Sequence, residues 1–314
     1  MWIYAAKRVL YTIPIALGVS LVCFGLVYLA PGDPASSLIP PDASAADIAM
    51  IRQLYGFDQP VPVQFLKWLW RVLHGDLGMS LQTNRPVLEE VSRALLNTAR
   101  ISVGAVIIAF LVALLLGTIA AWNRGKLADR VVTSISALGV SIPSYWLGIV
   151  LIIVFAVKLR WLPATGMNSA PGWLDWSHLR FAILPMFTMA LLPLGVVMRN
   201  TRSALADTLG QDYMQMLRAK GLHPPALIHH AMRNALPQIL AVMGLQLGYL
   251  IGGSILIETI FTWPGTGFLL SKAILTRDIP LLQGTILVLA LCFVLINLVV
   301  DILQTFVDPR IKRI

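Results

Sequence analysis

The side chains best suited to chemistry are few, and their spacing argues against most of it. Five histidines are present: His74, His178, His223, His229 and His230. Three of them fall between Asp207 and Pro237, a density that raises the question of a metal. No cysteine or carboxylate set at ligand spacing joins them. An intramembrane hydrolase needs a Ser nucleophile and a His base in apolar surroundings. Every histidine lies outside the long apolar runs. Asp301, one helical turn beyond Asn297, is a candidate intramembrane carboxylate. It has no second carboxylate to work with, and near the end of its run it equally suits a solvated or capping role. Glu258 is open to the same two readings. Gly265 and Gly267 are no substitute for a Gly-x4-Gly-Lys-Ser/Thr phosphate loop, which the chain lacks. Cys23 and Cys292 sit in apolar runs and read as small packing residues.

The elements that must carry these residues are membrane helices. Of 314 residues, 57% are hydrophobic and 12% charged, against roughly 25% charged in a soluble domain. Mean hydropathy is +0.78. This excludes disorder, a coiled coil and a polar-surfaced nucleic-acid binder. Six runs lack Asp, Glu, Lys and Arg: Val9 to Gly32, Ile101 to Asn123, Val131 to Val157, Phe181 to Met198, Asn234 to Ile257 and Ile279 to Val300. At ~1.5 Å per residue such runs cross ~30 Å of hydrocarbon. None alternates as a barrel strand would. The expected fold is an all-α integral membrane protein with six transmembrane helices.

Six crossings put both termini on one side. Every short segment on that side is basic: Lys7 and Arg8; Arg124, Lys126 and Arg130; Arg199, Arg202, Arg218, Lys220 and Arg233; Arg310, Lys312 and Arg313. Cytoplasmic loops carry such an excess, so the expected topology is N-in, C-in. The net charge of +9 is then mainly a topology signal, with no nucleic-acid partner. The first run is too long for a signal-peptide core and reads as an uncleaved anchor.

Four segments follow: the N-terminus and first span over 1–30, an external segment over 31–96, a five-helix core over 97–306, and a tail over 307–314. The core includes a cytoplasmic loop over 207–233. Pro31-Gly32-Asp33-Pro34 ends the first span. Phe65, Leu66, Leu69 and Leu73 share a face of a short external helix. Trp68, Trp70, Trp161, Trp173, Trp176 and Trp263 suit the interfacial belt, with ligand stacking as the other reading. Gly244, Gly248 and Gly252 form a small-residue stripe, as do Ala113, Gly117 and Ala121. Such stripes serve packing within the chain or against a second membrane subunit.

The loop between the fourth and fifth spans carries the most information. Asp212 to Lys220 predicts a short helix, with an acid at its start and Arg218 and Lys220 in its last turn. Gly221 takes the cap position. Pro224 and Pro225 suit the start of a second helix. Two short helices about a glycine hinge make either a handle for a soluble partner or a solvated connector.

Asp212-Tyr213-Met214-Gln215-Met216-Leu217-Arg218-Ala219-Lys220-Gly221 resembles the coupling loop of permease subunits of bacterial ABC importers, in the dipeptide/oligopeptide/nickel family. The resemblance runs the whole chain. It takes in Lys7-Arg8 with Ile13-Pro14, Pro31-Gly32-Asp33-Pro34, Gly75-Asp76-Leu77-Gly78 and Arg85-Pro86-Val87. It continues through Ser141-Ile142-Pro143, Trp161-Leu162-Pro163, Thr201-Arg202-Ser203, Trp263-Pro264-Gly265, Arg277-Asp278 and Asp308-Pro309-Arg310. Gln215-Met216-Leu217 stands where many relatives have Arg-Thr-Ala, Pro237 arrives one residue early, and Thr266 replaces a common Leu.

The resemblance implies a non-catalytic subunit in a bacterial inner membrane, forming half of a path for short peptides, glutathione-like ones included. A nickel or nickel-chelate importer is the alternative. An intramembrane enzyme or a stand-alone transporter is more distant. The implied partners are a second homologous permease, two cytoplasmic ATP-binding subunits that carry ATP and Mg, an external substrate-binding protein and the lipid bilayer. The ATPases would grip Asp212, Tyr213, Arg218, Ala219, Lys220 and Gly221. No cofactor or metal is expected in this chain.

Overall fold

The structure, a computed structural model, describes residues 2–29, 58–168, 175–252 and 254–307, with Ser44, Ala46, Met50, Gln53 and Gly172. Pro31-Gly32-Asp33-Pro34, Trp173 and the basic tail Arg310, Lys312 and Arg313 lie outside the described residues. In chain order the helices are α1 (Trp2–Leu29), α2 (Val61–Leu73), α3 (Val87–Trp122), α4 (Leu127–Ser141) and α5 (Ser144–Leu151). A π-helical stretch, Ile152–Lys158, extends α5. Then come α6 (Trp176–Leu209), α7 (Asp212–Ala219), α8 (Pro224–Gly252), α9 (Ser254–Ile260), α10 (Thr266–Leu275) and α11 (Ile279–Val307). Among the described residues no strand forms; Met79 and Pro86 make an isolated bridge.

Among the described residues, four helices are long and apolar enough to cross a membrane: Arg8–Gly25 within α1, then α3, α6, and Ile279–Ile302 within α11. Two bent pairs pass the same test, α4 with α5 and its extension, and α8 with α9. Counting each pair as one span gives six. The third span, expected as one run from Val131 to Val157, is instead two helices at 98°. Pro143 is the reason. A residue before proline is pushed out of the helical region, and Ile142 is extended at ψ 123°. Pro14, Pro185, Pro193 and Pro237 sit inside helices that continue past them.

The chain forms two compact units. One comprises Met1–Ala5, Ala99–Trp263 and Ile296–Ile314. Its core stacks small residues of α3 (Ala105, Ala109, Ala113) on Val197 and Met198 of α6. Small side chains let helix backbones approach closely. A Cβ on Gly117 would lie 2.8 Å from Thr201 Cβ, and one on Gly195 2.8 Å from the Ser136 carbonyl. The Ser136 hydroxyl donates to the Gly195 carbonyl at 2.7 Å. Of the other glycine stripe, Gly244 packs on Val300, whose Cγ1 would lie 2.1 Å from an added Cβ, while Gly252 faces open space. Gly248 is buried. Glu258 is fully buried and engaged with neighbours.

The other unit comprises Ala6–Thr98 and Pro264–Leu295. Of the four residues that share a face of α2, Phe65 and Leu69 pack inward. Leu66 and Leu73 are exposed, whereas Trp68 is buried. Phe65, Trp68, Leu69 and Val72 meet Cys23, Phe24 and Leu287. The Trp68 ring lies 5.7 Å from Phe24 and 6.2 Å from Phe65. Rings bury more area than leucines, and here Trp68 packs tilted on Phe24 and Phe65, which meet each other edge to face. Trp68 and, in the first unit, Trp263 are therefore core residues. Trp70, Trp161 and Trp176 remain exposed.

Two polar joints fix this second unit. Asp278 is fully buried. It accepts the Ser80 hydroxyl at 2.6 Å, the Gln82 amide at 3.2 Å and the Leu281 amide at 3.1 Å. One carboxylate thus caps α11 and holds the turn between Met79 and Pro86. The Thr98 hydroxyl lies 3.0 Å from that of Thr266 and accepts the Thr266 amide at 2.8 Å, capping α10. The departure at Thr266 has its partner in Thr98. Replacing Asp278 with Ala strands three donors, and a charged buried acceptor lost this way costs roughly 3 kcal/mol. Thermal unfolding in detergent should show a lower midpoint for Asp278→Ala, with Thr266→Val affected less.

Candidate coupling site

The segment that joins α6 to α8 is built by local signals. Gly210 ends α6, and its amide bonds the Ala206 carbonyl at 3.2 Å. Gln211 then turns extended, at ψ 151°, and α7 begins. Asp212 in the first turn and Arg218 in the last both favour the helix dipole. After Ala219, Lys220 caps the helix and Gly221 takes φ +81°. The Gly221 amide bonds Arg218 O at 2.9 Å, and the Leu222 amide bonds Leu217 O at 3.3 Å. This pair of bonds defines a Schellman ending, which needs a left-handed residue at Gly221.

One face of α7 is anchored. Met214 is fully buried among Ala204, Leu205, Leu227, Ala231 and Ile239, with Tyr213 and Leu217 packed beside it. Burial pushes the Tyr213 phenol above its ordinary value. The other face is open: Asp212, Gln215, Met216, Arg218, Ala219, Lys220 and Gly221 are exposed. The six residues singled out for coupling thus occupy one helix and its cap.

The second helix of the expected pair is not short. From Pro224 the chain runs as α8 for 29 residues to Gly252. The prolines occupy its first turn, where a missing amide costs nothing. Gly221 therefore separates a short helix from the start of a long one. His223, His229 and His230 are exposed, with the last two rings 6.1 Å apart.

A fastening that the sequence did not reveal lies beside this segment. Asp129, in the first turn of α4, is buried. Arg202 of α6 grips it with two bonds, Nε to Oδ1 at 2.9 Å and a terminal nitrogen to Oδ2 at 2.8 Å. The Gly125 amide donates to Oδ2 at 2.9 Å, from a turn where Gly125 has φ +81°. Arg202 lies two turns before α7, so the pair ties α4 to the stem of the site. Thr201-Arg202-Ser203 stood out as a motif, but a partner 73 residues away leaves no local trace. The usable signal is an acid and an arginine each placed at the basic end of an apolar helix.

The site is thus a short helix anchored on one face to the ends of α6 and α8. The fold is similar to an inward-facing MetNI methionine ABC transporter, with a TM-score of 0.56 at 17% identity, over 69% of this chain and 96% of that one. Residues 113–313 match the family described as binding-protein-dependent transport system inner membrane component. Residues 1–102 match its N-terminal component. The chain belongs to this family, the permeases of ABC importers.

Three relatives are similar along nearly their full length. A glutathione transport system permease protein of Salmonella choleraesuis (strain SC-B67) is 41% identical, over 98% of each chain. A dipeptide transport system permease protein of Alkalihalophilus pseudofirmus is 37% identical, over 99% of this chain and 100% of that one. A putative peptide transport system permease protein of Brucella abortus (strain 2308) is 42% identical, over 98% of each.

Breaking one side of the Asp129–Arg202 pair leaves a largely buried charge unpaired, which costs about 3 kcal/mol. Partial exposure of Arg202 lowers the cost of losing Asp129. Arg202→Met should therefore destabilise more than Asp129→Asn. The double variant should cost less than the sum of the two, by about 1–2 kcal/mol. A double-mutant cycle by chemical or thermal unfolding checks this; strict additivity would deny the coupling.

Proposed function

We propose that the chain is one permease half of an ATP-driven importer of short peptides, glutathione-like ones included. Relatives named for glutathione, dipeptide and peptide transport, at 37–42% identity along nearly the whole chain, support that solute class. None of these three is named for nickel. A second homologous permease completes the path, and an external substrate-binding protein delivers the solute. The 31–96 segment helps to seat that protein. Two cytoplasmic subunits bind ATP with Mg. The chain lies in the bacterial inner membrane with both termini and α7 on the cytoplasmic side, as the distribution of Lys and Arg argues.

The observation that carries the reading is the two-faced α7. Met214 locks it into the ends of α6 and α8, and its exposed face carries Asp212, Gln215, Met216 and Arg218. ATP closes the two ATPases, which pull on α7. The bundle follows because α7 cannot slide over its own buried residue. ATP shifts the inward–outward balance only by its differential affinity for the two states.

Gly221 tests this. A Cβ there meets nothing within 4 Å, so bulk is tolerated and only the left-handed backbone resists. Gly221→Ala should cost about 1 kcal/mol and keep most uptake. Gly221→Pro cannot adopt φ +81° and loses the bond to Arg218 O. It should insert normally yet lose at least about tenfold of its ATP-driven uptake, a loss of transmission worth ~1.4 kcal/mol. Normal uptake by the inserted Pro variant would contradict the proposal.

A further inference from the structure

Two helices of the same unit each leave one stripe uncovered, and the stripes differ in kind. On α3 the exposed stripe is Val103, Ile107, Leu111, Leu115 and Ile119, aliphatic throughout. Lipid tails cover such a surface at no cost. On α8, from Asn234 onward, the exposed residues among those described are Asn234, Gln238, Leu245, Tyr249 and Gly252. At ~3.6 residues per turn they share one narrow face. Gln246 stands at the edge of that face. Its Oε1 is buried, and nothing among the described residues bonds it. The side chains of Gln238 and Tyr249 make no hydrogen bond among the described residues either.

Depth rules out a mere helix end. The apolar run carried by α8 extends from Asn234 to Ile257. Gln246 is at its middle, ~18 Å along the helix from Asn234, and Tyr249 is one turn further. Facing lipid there, a carboxamide and a phenol would lose water with nothing to replace it.

The break in the third span opens onto the same place. Ser144, at the start of α5, and Tyr249 line one small cleft, with Met189, Leu192, Leu250 and Ile257. Pro143 gives α5 no side-chain cap. Among the described residues no carbonyl takes the amides of Ser144, Tyr145 or Trp146. Lipid cannot satisfy them. Nor can the backbone of a neighbouring helix, whose carbonyls are already bonded within it. Water can, and so can a passing peptide.

We propose, resting on the reading of the chain as half of a peptide permease, that this face lines the water-filled path of the solute. It runs from Gln238 past Gln246 and Tyr249 to the start of α5, while the α3 stripe faces lipid. Gln246 and Tyr249 then meet the solute at mid-membrane. A glutamine side chain offers both acceptor and donors, as a peptide bond does. It can therefore pair with the backbone of a short peptide whatever its side chains.

The test is thiol accessibility in the assembled importer, held in nanodiscs so that both faces of the membrane meet solution. With Cys23 and Cys292 replaced by Ala, single cysteines are placed by Leu245→Cys, Gln246→Cys and Tyr249→Cys. On the other stripe they are placed by Leu111→Cys and Leu115→Cys. A charged methanethiosulfonate reagent attacks thiolate, which forms in water and not in lipid. In at least one of two states, with ATP or without, the α8 cysteines should react at least about tenfold faster than those of α3. Saturating dipeptide delivered by the binding protein should slow the α8 reaction and leave the α3 reaction unchanged. Three positions on α8 keep the test decisive should one variant fail to assemble. Rates on α8 as slow as those on α3 in both states would overturn the proposal, whether lipid or the second permease covers the stripe. Fast labelling that no peptide slows would uphold the path and count against short peptides as the solute.

Discussion

In hydrocarbon, a backbone amide or carbonyl that is not bonded by the chain itself has no water to turn to, and each such group costs several kcal/mol. Several departures from helix among the described residues answer that constraint. Where Pro143 breaks the third span, the Ile142 amide still bonds Leu138 and the Leu147 amide bonds Pro143. Where α10 begins, Thr98 caps it. Where α11 begins, Asp278 caps it and gathers the turn around Ser80 as well. Outside the membrane the ending of α7 is satisfied too, by the two bonds at Gly221. Thr98 and Asp278 make joints at helix ends with partners from distant parts of the chain.

Packing and satisfied helix ends also account for how firmly the short helix proposed as a lever is held. An eight-residue helix is unstable alone, since nucleation is costly and little is gained by so few bonds. Here α7 persists because Met214 enters the apolar cluster at the ends of α6 and α8. The Asp129–Arg202 pair stiffens the stem of α6 against α4, and small residues bring α3 against α6 with no slack. A force applied to the exposed face of α7 therefore has no soft element to spend itself on before it reaches the spans. In the proposed coupling, transmission is a matter of packing.

Much of this was legible in the sequence. Apolar run length gave the helices, because lipid leaves few alternatives. Asp212, Gly221 and the prolines gave α7 and its ending, because caps and helix dipoles act within a few residues. What could not be read is what depends on contact at a distance. Ser80 and Asp278 stand 198 residues apart, and Asp129 and Arg202 stand 73 apart. Trp68 suited the interfacial belt by type, and only its ring contacts with Phe24 and Phe65 set it in the core. The bend at Pro143 was missed because a proline's effect depends on its neighbours: Pro185 and Pro193, packed within α6, leave that helix intact.

The central claim is that α7 transmits force through the burial of Met214. The most direct measurement is the number of peptide molecules imported per ATP hydrolysed by the reconstituted complex carrying Met214→Ala, with Met214→Leu alongside. Truncation of a buried methionine removes about 2–5 kcal/mol of packing, enough to let α7 detach, while leucine nearly conserves the volume. The account predicts that the alanine complex still hydrolyses ATP but imports several-fold less peptide per ATP, and that the leucine complex behaves as the wild type. A wild-type ratio in the alanine complex would contradict it.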